Sequence, residues 1–118
     1  MRVLVCGGRD YDDGPHVFRE LDRLHESEPI TLVIEGGASG ADLSARSWAF
    51  HRYIQHVTVH AQWKLHGRAA GPIRNKQMLD EQSPDVVLAF PGGKGTADMV
   101  RQATQRGVRV VHATPARS

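Results

Sequence analysis

Asp10, Glu35 and Asp42 each fall at or just beyond the end of a short apolar run. Glycine pairs stand in the same places: Gly7-Gly8 after Val3-Leu4-Val5-Cys6, Gly36-Gly37 after Leu32-Val33-Ile34-Glu35, and Gly92-Gly93 after a run ending in Phe90-Pro91. Glycine lets a backbone approach an anion closely, and a helix start offers unpaired N–H groups at the positive end of its dipole. Arg9, Arg68, Arg74 and Lys94 are either phosphate contacts or plain surface charges, and the Thr96 hydroxyl can cap its helix and touch phosphate while doing so. Acids beside such loops hydrogen-bond ribose hydroxyls or act as bases. Glu35 closes an apolar strand, so its carboxylate needs partners from a ligand or from its own loop. Asp42 either completes a helix cap or faces the ligand, and Asp10 either orders its loop or does the same. Together these residue types point to a nucleotide-like ligand.

The elements that must position them alternate. Residues 2–6 read as a buried strand. Asp12-Asp13-Gly14-Pro15 opens a helix whose stripe is Val17, Phe18, Leu21 and Leu24, ended by Pro29. Residues 31–35 form the second strand. Ser39 is placed to cap the next helix, with Asp42 three residues on, and that helix is expected to reach about Tyr53. Residues 56–60 alternate as a third strand, residues 62–72 read as an irregular loop, and a helix follows over 73–82. A fourth strand covers 85–90, a helix 96–105 stops at Gly107, and a fifth strand covers 108–111; the tail, 114–118, reads as loose. Such alternation predicts an α/β domain, a parallel sheet covered on both faces. Right-handed crossovers give the strand order 3-2-1-4-5, which lines the three glycine pairs along one edge at a topological switch point.

Two motifs are excluded. A P-loop needs Ser or Thr directly after its lysine, and here Gly95 separates Lys94 from Thr96. No stretch spells the dinucleotide Gly-x-Gly-x-x-Gly; the run Gly36-Gly37-Ala38-Ser39-Gly40 has the wrong spacing. The sequences Cys6-Gly7-Gly8-Arg9-Asp10, Gly36-Gly37-Ala38-Ser39-Gly40-Ala41-Asp42, Gly67-Arg68-Ala69-Ala70-Gly71-Pro72-Ile73-Arg74-Asn75 and Pro91-Gly92-Gly93-Lys94-Gly95-Thr96 together resemble the SMF/DprA–LOG, or SLOG, superfamily, and within it the small YspA/cpYpsA-related branch. The resemblance covers residues 3 to about 111. It implies a Rossmann-like three-layer sandwich and a nucleotide or nucleotide-derived ligand, with the chain acting as a binder or sensor. It also implies a ligand set drawn from the four segments, Asn75 included. The more distant LONELY GUY phosphoribohydrolases cleave a nucleotide's N-glycosidic bond with an arginine, matched by Arg74, and a glutamate. Here Met99 occupies the glutamate position, so a hydrolase would have to use Asp42, Glu35 or Asp98.

The 118 residues suffice for one domain. The formal charge is +2 and arginine outnumbers lysine. Near-balanced charge, few aromatics and no basic run argue against the nucleic-acid binding of the DprA relatives. No membrane span or signal peptide is legible, and the single cysteine, Cys6, fits a cytoplasmic setting. Cys6 has no base beside it in sequence and reads as packing. The histidines lack metal-ligand spacing, so neither a metal nor a cofactor is expected. The wide apolar spread of the second helix suggests a homodimer through Trp48 and Phe50.

Overall fold

In the computed structural model, which describes residues 1–113, five parallel strands form a sheet in the order 3-2-1-4-5. They are β1 (Arg2–Cys6), β2 (Leu32–Glu35), β3 (Gln55–Thr58), β4 (Val86–Ala89) and β5 (Arg109–His112). The helices are α1 (Gly14–Ser27), α2 (Ala41–His51), the one-turn α3 (Trp63–His66), α4 (Ala70–Gln82) and α5 (Lys94–Gln105). The chain is an α/β three-layer sandwich with the expected order. The loose tail expected at 114–118 lies outside the described residues.

Strand period decides the layers. Val3 and Val5 face one side of β1 while Leu4 and Cys6 face the other. On β4, Val86 and Leu88 share the first side and Val87 and Ala89 the second. The first side packs on Val17 and Leu21 of α1 and on Ala41, Ala45 and Trp48 of α2. The second packs on Met78 and Leu79 of α4 and on Met99 and Ala103 of α5. Register holds Val3 beside both Val33 and Val86, so β1 lies central and the ends of β2, β1 and β4 are neighbours.

Three sequence expectations are corrected. Residues 62–72 are not an irregular loop: α3, a 3-10 turn over Gly67–Ala69 and the first turn of α4 occupy them. None of α3 is buried, so no apolar stripe announces it. The second helix stops at His51, because Tyr53 takes a left-handed φ of 58°. Trp48 is fully buried in the chain's own core and its Nε1 donates to Asp22 Oδ1 at 2.8 Å, so it presents nothing to a second copy; Phe50, 75% exposed, does face outward. No helix among the described residues is long and apolar enough to cross a membrane.

Candidate functional site

A cleft of about 680 Å³ opens at the carboxyl edge of the sheet, over the ends of β1, β2 and β4. Its floor is Val5, Cys6 and Met78; its walls are the three glycine loops and the side chains of Arg74 and Asn75. The loops hold one another. Gly8 donates its N–H to Pro91 O at 2.8 Å, joining the first loop to the third. Ser39 Oγ donates to Arg9 O at 2.8 Å, joining the second to the first. Gly40 has a left-handed φ of 78°, and a Cβ there would sit 2.7 Å from Arg9 O, so only glycine permits the approach.

Asp42 closes the second loop. Its Oδ2 accepts from the N–H of Gly36 at 3.1 Å and of Ala38 at 3.2 Å. The expected cap by Ser39 does not form: glycine at position 40 takes the cap position, and the serine hydroxyl is spent on Arg9. Burial pushes the Asp42 carboxyl up to about 6, against the pull of those N–H groups and of Arg74. The same burial, reinforced by Asp42, pushes the Cys6 thiol up to about 12, so it is an inert part of the floor.

Arg74 leans across from α4. Its Nη1 donates to Gly36 O at 2.8 Å and to Val59 O at 3.2 Å, and its Nε donates to Asn75 Oδ1 at 3.1 Å. Among the described residues Nη2 makes no hydrogen bond and no carboxylate pairs with the guanidinium. Burial lowers its pKa, with Asp42 and Glu35 opposing, and arginine remains charged at any working pH. Asn75 is buried and braces the third loop through Gly95 O at 3.2 Å and Asp98 Oδ2 at 2.9 Å.

The helix α5 starts at Lys94 with Gly93 as its cap and no side-chain cap bond. The expected cap by Thr96 is therefore corrected. Thr96 lies inside the first turn and lines the cleft together with Pro91, Gly92, Gly93, Lys94 and Gly95. The first N–H groups of the helix are left for solvent or a ligand.

Of the residues singled out from sequence, Gly7, Gly8, Arg9, Asp10, Gly36, Asp42, Arg74, Asn75 and residues 91–96 line the cleft. Gly37, Ser39, Gly40, Glu35 and Arg68 do not. Glu35 is fully buried; Oε1 accepts from Gly37 N–H at 2.7 Å, and Oε2 accepts from the Thr58 hydroxyl on the neighbouring strand. Arg68 is exposed on the 3-10 turn. Asp98 is occupied by Asn75, Gln102 and Arg101, and Met99 is buried against the sheet. Sequence reasoning passed over Tyr11, which also lines the cleft; its signal was an aromatic directly after the first glycine loop.

The sequence model of the YspA, cpYpsA-related SLOG family matches residues 1–66. The gene 61 protein of Mycobacterium phage D29 is 38% identical over 119 residues, spanning 94% of both chains. The chain belongs to the YspA, cpYpsA-related SLOG family. Two solved structures share its fold. The crystal structure of TM1055, a structural-genomics target, superposes with a TM-score of 0.70 at 20% identity, over 92% of this chain and 71% of that one. DNA processing protein A (DprA) of Streptococcus pneumoniae gives 0.54 at 17% identity, over 93% of this chain and 58% of that one. In this SLOG chain, then, the cleft sits at the switch point of a Rossmann-like sheet.

Proposed function

We propose that this SLOG protein binds a nucleotide or nucleotide-derived ligand in the cleft, with the anionic end on Arg74 and the start of α5. The observation that carries this reading is the Arg74 guanidinium. It is half-buried beside the cleft, fixed through Nη1, and left with Nη2 unspent among the described residues. A half-buried cation that Asp42 and Glu35 stabilise only at longer range, with no carboxylate paired to it among the described residues, favours an anionic ligand. The uncapped N–H groups of α5 support the same end of the ligand, and a volume near 680 Å³ is large enough for a mononucleotide. Isothermal calorimetry against AMP, other nucleoside monophosphates and ADP-ribose checks it. Micromolar binding is expected, weakened at least tenfold in Arg74→Gln; no binding at millimolar ligand refutes the reading.

One observation favours a hydrolase as a second reading. The Asp42 carboxyl faces the cleft and is held near 6, where an acid or base is effective at neutral pH. This reading expects release of a free base or phosphate from some nucleotide, abolished in Asp42→Asn. A broad nucleotide screen without turnover removes it.

A further inference from the structure

Tyr11 lines the cleft and is held by contacts from its loop, from Phe90 and from α1. It is the single aromatic side chain lining the cleft among the described residues. Its N–H donates to Gly8 O at 3.1 Å. The ring packs on Phe90 with centroids 5.6 Å apart and planes at 36°. The phenol oxygen lies 2.5 Å from His16 Nδ1. His16 in turn stands edge-on to Phe90, and its Nε2 faces Glu20 Oε2 at 4.0 Å. Arg23 reaches the same carboxylate from the surface at 3.3 Å.

The arrangement behind the ring is costly. His16 is 3% exposed and Glu20 6%, on the helix face that also carries Val17 and Leu21. Apolar side chains there would pack without desolvating titratable groups. The phenol oxygen and His16 Nδ1 share one hydrogen bond, whose donor is set by the imidazole tautomer. What results is one fixed orientation for the Tyr11 ring. A planar group that stacks on such a ring need not first order it. Tyr11 also packs with the α1 and α2 layer, whereas Arg74 comes from α4 on the opposite face of the sheet. The aromatic wall and the unspent cation therefore stand on different sides of one cleft.

We propose that Tyr11 is the wall that takes the planar base of the ligand, with His16 and Glu20 as positioning residues that hold its ring. The inference rests on the nucleotide reading above and adds where the base lies. Calorimetry of the intact chain with AMP and with ribose 5-phosphate, which keeps the anion and sugar but lacks the base, tests it. Wild type is expected to bind AMP more tightly than ribose 5-phosphate. Tyr11→Leu loses roughly tenfold in AMP affinity, the scale of one base–aromatic stack, and leaves ribose 5-phosphate unchanged. Tyr11→Phe and His16→Phe each lower the ratio of AMP to ribose 5-phosphate affinity about threefold. The double variant lowers it no further, because both act through one hydrogen bond. Should Tyr11→Leu prove unfolded by circular dichroism, that ratio in the two phenylalanine variants decides. Equal loss for both ligands, or no loss, overturns the assignment. Equal wild-type affinity for the two ligands overturns the base wall and leaves the anion cleft standing. Binding of neither ligand overturns both.

Discussion

Three side chains lining the cleft, Cys6, Asp42 and Arg74, are shifted chiefly by burial. Cys6 is neutralised as a thiol and Arg74 keeps its charge. Asp42 is held near 6, between those extremes. Its pKa in the folded chain lies above the ordinary 3.8, so the folded state retains a proton that the unfolded chain releases. The stability contributed by the protonated form is complete below pH 3.8 and is lost as pH rises through about 6. In Asp42→Asn the amide oxygen still accepts from the Gly36 and Ala38 N–H groups, so the loop stays closed and the pH dependence disappears. Wild type is expected to lose on the order of 2 kcal/mol relative to the variant between pH 4 and pH 7. Urea midpoints of both proteins across that range measure it, and parallel profiles would contradict the assignment. At the same scale, Met99 explains why glycosidic cleavage in the LONELY GUY manner has no support here. Its side chain is packed into the sheet, and the adjacent Asp98 has its oxygens on Asn75, Gln102 and Arg101.

At the scale of elements, what was legible followed from period. Val3, Leu4, Val5 and Cys6 alternate between two covered faces, and glycine pairs follow β1 and β2 directly and β4 after Phe90-Pro91, so the strands and their order could be read from apolar runs and their punctuation. The short helix α3 could not, because none of its residues is buried and no side chain caps it. The starts of α2 and α5 were misjudged for a related reason. Ser39 and Thr96 are good capping residues, but glycines at 40 and 93 take those positions. The serine is used between loops, and the threonine lies within the first turn. Arg74 was legible as a candidate phosphate contact and through its resemblance to a family arginine, but nothing local shows that α4 leans over β2. Tyr11 was passed over because its partner His16 lies on the following helix, and the link between them is a tertiary contact. The site is thus readable where backbone conformation demands glycine and obscure where side chains meet across elements.

At the scale of the molecule, the three glycine loops act as one object set over the middle of the sheet. The first loop is gripped between the second and the third, so a change in one is felt in all. The pair Gly92-Gly93 separates this effect from mere loss of glycine flexibility. A Cβ on Gly92 would lie 2.7 Å from the Gly8 backbone nitrogen and 2.9 Å from Thr96 Cβ, while a Cβ on Gly93 meets nothing within 4 Å. Gly92→Ala therefore has to push the third loop off the first and break the bond from Gly8 N–H to Pro91 O. Overpacking of this kind costs about 1–3 kcal/mol. Gly93→Ala has space and a negative φ of −98°, so it is expected to stay within about 0.5 kcal/mol of wild type. Chemical denaturation of the two variants measures the difference. Amide exchange locates it: Gly92→Ala should speed exchange at Gly8, more than eighty residues away in sequence, and Gly93→Ala should not. Equal destabilisation by the two alanines, or exchange changes confined to residues 91–96, would mean that the loops are independent and that the cleft is not a single site.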